Sequence, residues 1–97
     1  MQFISLKEST RKGKRFMITF DNPKQTIHFG SSVGTTYIDA GDKVKRENYI
    51  KRHQVREDWS KINAGSLSRF ILWGSSRDIN KNLNSYLRRF NIEDAAE

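Results

Sequence analysis

The chain is predicted to fold as an α+β protein, a three-stranded antiparallel β-meander followed by two to three α-helices. Two patterns predict it. Apolar residues recur at every second position in the first third of the chain, and beyond about residue 40 the spacing shifts toward the helical period. Turn-forming residues separate the alternating stretches, as hairpin connections require.

Ile4 and Leu6 alternate with Ser5 and Lys7, Phe16, Ile18 and Phe20 with Met17 and Thr19, and Ile27 and Phe29 with Thr26 and His28. Such alternation marks strands with one buried face. The breaks at residues 8–14 and at Asp21-Asn22-Pro23-Lys24 carry the turns. Gly30, Gly34 and Gly41, with Ser and Thr between them, predict a loop or an irregular strand around Tyr37-Ile38. Asp39 or Asp42 can cap a helix from about Asp42 to Gln54, stable mainly if Tyr49 and Ile50 dock on the sheet, because its other faces are polar.

Asn63 is placed to cap a short helix through Trp73, with Leu67, Phe70 and Ile71 on one face and Gly74 as its stop. Ser75-Ser76-Arg77-Asp78 has capping-box spacing. Ile79, Leu83, Tyr86, Leu87 and Phe90 then follow at helical spacing, which predicts a helix from about Ser76 to Phe90. Residues 1–92 are expected to form one basic α+β domain and residues 93–97 an acidic, frayed tail. The expected core is Phe16, Ile18, Phe20, Ile27, Phe29, Tyr49, Ile50, Leu67, Phe70, Ile71, Leu83, Leu87 and Phe90.

Eighteen Lys and Arg stand against eleven Asp and Glu in 97 residues, a net charge of +7. Three of those acids lie in the last five residues, so residues 1–92 hold eighteen basic and eight acidic side chains, +10. That excess points to a polyanion, an acidic protein surface or a membrane face. The chain has no cysteine, which removes disulfides, thiolate metal sites and a cysteine nucleophile. The longest apolar run, Phe70-Ile71-Leu72-Trp73, is far short of a signal peptide or a membrane span.

Catalytic chemistry finds no foothold. His28 is expected to face solvent and His53 to pack among Lys51, Arg52 and Arg56; neither has a second metal ligand at useful spacing. Glu57-Asp58 is the only adjacent carboxylate pair outside the tail, and at the end of a basic helix it is expected to cap or to pair with Arg. Gly30-Ser31-Ser32-Val33-Gly34 lacks the Lys of a phosphate-binding loop. No catalytic residue, metal, cofactor or small-molecule substrate is expected.

The basic segments carry more. Lys12, Lys14 and Arg15 at the first hairpin, and Lys43, Lys45, Arg46, Lys51, Arg52 and Arg56 along the second segment, could contact phosphates. No helix-turn-helix, zinc-finger or aromatic-platform signature accompanies them, so such contacts would read little sequence. A protein interface would instead need apolar anchors: Trp59, Trp73 and the Tyr37 segment, with an exposed patch expected around Trp73 and rimmed by Arg69 and Arg77.

Several strings have a familiar order and spacing: Thr26-Ile27-His28-Phe29-Gly30, Arg46-Glu47-Asn48-Tyr49-Ile50-Lys51-Arg52-His53, Glu57-Asp58-Trp59, 64–73 (AGSLSRFILW) and Leu87-Arg88-Arg89-Phe90. Over about Lys14 to Phe90 the chain resembles an uncharacterised family of small basic proteins encoded by large double-stranded DNA viruses of algae and protists. It departs from that pattern between Ser31 and Asp42 and around Lys61-Ile62. The resemblance implies a viral setting: a non-enzymatic structural component of a virion, a minor capsid or cement protein bound to capsid subunits, present in host cytoplasm or nucleus during assembly. The alternative is a sequence-nonspecific binder of DNA or RNA backbone through residues 7–15 and 43–56.

Overall fold

The alternating segments form β1 (Gln2–Glu8), β2 (Lys14–Asp21) and β3 (Gln25–Ser31), paired antiparallel in sequence order. The structure, a computed structural model, describes residues 1–95. A fourth strand, β4 (Glu93–Asp94), lies parallel to β1, so the sheet is mixed, in the order β3-β2-β1-β4. Where a frayed tail was expected, residues 93–95 lie along β1. Ile92 is buried and holds the chain beside β1, where the Glu93 N–H donates to the Met1 carbonyl at 3.3 Å and the Ala95 N–H to the Phe3 carbonyl at 3.0 Å. Residues 96 and 97 of that tail lie outside the described residues.

β1 also departs from simple alternation. Phe3 pairs with Phe20 but Ser5 pairs with Thr19, so Ile4 is an extra residue in a bulge. The insertion resets the phase. Phe3 is buried, Leu6 packs against the core opposite Ile18, and Ile4 is 40% exposed.

Where a loop or irregular strand was expected, Tyr37–Ala40 form a one-turn helix, α1. The Asp39 carboxylate accepts from the Thr36 N–H at 2.7 Å and the Thr36 hydroxyl at 3.0 Å, which closes the turn. Gly41, in the left-handed region at φ 68°, ends it. α2 (Lys43–Gln54) follows, with the Asp42 carboxylate accepting from the Val44 and Lys45 N–H groups. Tyr49 is its one buried side chain, and Ile50 is half-buried.

α3 (Ala64–Leu67) opens on Asn63, whose side chain accepts from the Ser66 N–H at 2.8 Å. It runs on into a π turn, Ser68–Leu72, in which the Trp73 N–H reaches back five residues to the Ser68 carbonyl at 3.0 Å. The wider turn brings Ile71 and Leu72 both inward and leaves Phe70 half-buried. Gly74 follows because a Cβ there would lie against the Phe70 carbonyl oxygen and 2.7 Å from Asn82 Cγ.

α4 (Ile79–Arg89) is capped by Asp78, not by Ser75 or Ser76, and so starts three residues later than expected. The Asp78 carboxylate accepts from the Asn80 and Lys81 N–H groups. Ser76 is committed elsewhere: its hydroxyl accepts from the Asp78 N–H, and its backbone is held by buried Asn82.

Phe3, Ile18, Phe20, Phe29, Leu67, Ile71, Leu72, Leu83, Tyr86, Leu87 and Ile92 form one core between the sheet, α3 with its π turn, and α4. Of the expected core, Phe16, Ile27, Ile50, Phe70 and Phe90 are half-buried. Tyr86 is fully buried with its hydroxyl 2.8 Å from Ser66 Oγ, and burial pushes its phenol up to about 12. Among the described residues no helix is long and apolar enough to cross a membrane.

Candidate functional site

A helix as polar as α2 needs an anchor, and Tyr49 supplies it. Its ring stacks on Trp73, with centroids 4.5 Å apart and planes 6° from parallel, and on His53 at 4.1 Å and 24°. His53 Nδ1–H donates to Glu57 Oε2 at 2.9 Å, and Trp59 Nε1–H donates to Glu57 Oε1 at 2.9 Å. Glu57 therefore joins the end of α2 to Trp59, where pairing with Arg or capping was expected. Burial pushes the Glu57 carboxyl up, but the bonds from His53 and Trp59 and the charges of His53 and Arg56 outweigh it and hold the carboxyl below its usual value. Burial, then the Glu57 charge, pushes the Tyr49 phenol up to about 12, so it stays neutral.

This aromatic wall lines a cleft of about 350 Å³ shared by Lys14 from β2, Thr35 and Thr36 from the loop before α1, and Ser68. A second groove of about 320 Å³ adjoins it, lined by Gly34, Thr35, Lys45, Asn48, Arg52 and Trp73. Thr35 and Trp73 belong to both. Hairpin and α2 cations thus stand along one continuous depression with an aromatic floor. The cleft keeps one ionised carboxylate, Glu57, tied to His53 and Trp59, and offers a ligand the Lys14, Lys45 and Arg52 cations, the Asn48 amide and the Thr35 and Ser68 hydroxyls.

The nine cations singled out from the sequence divide. Lys12, Lys14, Lys43, Lys45, Lys51, Arg52 and Arg56 are exposed, and among the described residues none of them lies within ion-pair distance of a carboxylate. Arg15 instead pairs with Asp39. Arg46 is half-buried, its Nε–H donating to the Trp73 and Gly74 carbonyls at 3.1 and 2.9 Å and its guanidinium lying over Tyr37. These two hold the fold together.

The expected apolar anchors are largely engaged. Trp73 is half-buried against Tyr49, with its remaining surface on the two grooves, and Leu72 is 1% exposed because the π turn carries it inward. Arg69 Nη1–H donates to the Trp73 carbonyl at 2.9 Å, and Arg77 Nη2–H to the Asp39 carbonyl at 2.8 Å. Trp59 is half-buried, edge-on to Phe70, and Tyr37 is half-buried beneath Arg46. His28, expected to face solvent, is half-buried and hydrogen-bonded through Nδ1 to Ser9 Oγ at 2.7 Å. The large apolar side chains that stand exposed are Ile4, Val33, Val44 and Val55.

Thr35 and Asn48 line the grooves and were not singled out from the sequence. Asn48 was within reach: Lys45, Asn48 and Arg52 fall at i, i+3 and i+7 of one helix face. Thr35 sits in a Gly-rich loop, where no periodicity points anywhere.

The chain belongs to a family of unknown function (DUF5754), whose model matches residues 4–53. That span runs from β1 nearly to the end of α2 and contains all but Arg56 of the nine cations singled out from the sequence. No curated protein and no solved structure matches the chain.

Proposed function

We propose that the protein is a non-enzymatic, sequence-nonspecific binder of nucleic-acid phosphates, acting in the setting its resemblance implies, the particle of a large double-stranded DNA virus. One observation carries the binding reading: Lys14 from the hairpin and Lys45 and Arg52 from α2 line adjoining grooves that share Thr35 and Trp73. Cations from two segments distant in sequence thus flank adjoining grooves, and Lys12, Lys43, Lys51 and Arg56 stand exposed on or next to the same segments with no carboxylate at ion-pair distance among the described residues. Flexible cations beside hydroxyls suit a phosphate backbone, and the absence of a base-reading element predicts indifference to sequence.

The test is duplex-DNA affinity across a salt titration from about 50 to about 200 mM, where a steep loss is expected. Replacing Lys51 and Arg52 by Gln should flatten the log–log salt slope by about 2. An absence of binding at the low-salt end would remove the reading. In that event the exposed valines at the two ends of α2, Val44 at 67% and the C-cap Val55 at 81%, favour a second reading as a cement that docks on capsid subunits. They lie eleven residues apart and so share one helix face.

A further inference from the structure

Between α2, the π turn and α4 lies a cavity of about 120 Å³ on which three guanidinium groups meet, those of Arg46, Arg69 and Arg89. Among the described residues no carboxylate lies within ion-pair distance of any of them. Three like charges gathered without an acid need compensation, and the protein supplies only part of it. The Trp73 and Gly74 carbonyls take the Arg46 Nε–H, and the Trp73 carbonyl also takes one N–H from Arg69. Arg69 Nε is buried and has no hydrogen-bond partner, a state rare for a polar group and costly for a charged one.

The rings nearby account for the faces of the guanidiniums and not for their edges. The guanidinium carbons of Arg69 and Arg89 lie 5.0 and 4.0 Å from the Phe70 centroid. Stacking of this kind leaves in-plane N–H groups for an oxyanion: those of Arg89, and on Arg46 and Arg69 the terminal N–H groups that the Trp73 and Gly74 carbonyls do not take. Burial, and then the charges of Arg46 and Arg89, pull the Arg69 guanidinium below the usual arginine value, which a bound anion would reverse. Ser75 and Ser85 line the same cavity and add hydroxyl donors. The space, about 120 Å³, has room for one tetrahedral anion.

We infer that this cavity is a binding site for a single phosphate group, gripped by Arg46, Arg69 and Arg89 from three separate elements. It is independent of the backbone-binding reading, because none of its arginines belongs to the exposed, unpaired set on the grooves.

The experiment is a thermal-shift titration of the full chain with inorganic phosphate against sodium chloride at matched ionic strength. Phosphate should raise the melting temperature along a saturating curve that chloride does not reproduce. Arg89→Gln, at an exposed position that should not compromise folding, should weaken the apparent affinity about tenfold, whereas Lys24→Gln, which removes a cation from the exposed β2–β3 turn, should leave it unchanged. Equal stabilisation by chloride, no saturation, or equal weakening by Lys24→Gln would overturn the site. A second arm compares a short 5′-phosphorylated oligonucleotide with its 5′-hydroxyl counterpart. Preference for the phosphorylated strand, lost in Arg89→Gln, identifies a strand end as the source of the phosphate; parity between the two, with inorganic phosphate still bound, identifies the free ion.

Discussion

Helix α2 runs twelve residues and α4 eleven, each opens on an Asp accepting two backbone N–H groups, and each carries cations in its last turn. Their interiors differ. α4 buries Asn82, Leu83, Tyr86 and Leu87, while α2 buries Tyr49 alone. The same capping chemistry therefore starts a core element in one place and a surface element in the other. α2 is held by one aromatic stack and two arginine-to-carbonyl bonds, which frees its remaining faces to carry charge.

The comparison can be broken most severely in α4. Tyr86→Ala removes a fully buried ring and one of the hydrogen bonds of the Ser66 hydroxyl, at a cost of about 3–5 kcal/mol. A denaturant titration should show much or all of the cooperative transition lost at 37 °C; near-normal stability would mean that α4 is no more a core element than α2. Tyr49→Ala should do less, about 1–3 kcal/mol for two ring contacts, and do it locally. Amide hydrogen exchange should quicken across α2 and stay slow in α4 and the sheet. Uniform quickening would show that α2 is as integral as α4.

Glu57→Gln sharpens the comparison by the smallest amount. The folded Glu57 carboxyl titrates below its ordinary 4.5, so the ionised group adds stability that is present above that value and lost as pH falls through the lower folded one. Melting temperature against pH should therefore fall less steeply below about pH 5 in the variant than in the native protein. Identical acid limbs would mean that the tie from His53 and Trp59 to Glu57 contributes nothing.

α4 and the three long strands were legible in the sequence because each repeats one period over several residues. What escaped has a physical cause in each instance. The bulge at Ile4 shifts the phase of β1 by one residue, and the π turn changes the angular step so that Leu72 joins Ile71 inside. α1 is too short for any period and is closed by a Thr36–Asp39 bond pair instead. β4 depends on a parallel pairing with a strand some ninety residues away, which no local pattern announces. For the candidate site, charge was visible but commitment was not: Arg15, Arg46, Arg69 and Arg77 resemble the other cations in sequence, and only tertiary contacts tie them down. Arg89 is one exposed cation on the amphipathic helix α4, and periodicity does not set it apart from its neighbours.

The short parallel strand at the chain's end also bears on how copies of this protein stay apart. The outer edge of a sheet is a row of unpaired N–H and C=O groups, a template on which another chain can add. On β1 the apolar part of that edge is at Phe3 and Ile4, and Ile4 is already 40% exposed. β4 occupies the edge there, pairing Gln2 with Glu93 and Phe3 with Asp94. It brings two carboxylates where a second copy would have to approach. Two acidic residues thereby stand on that edge against edge-to-edge addition of another chain.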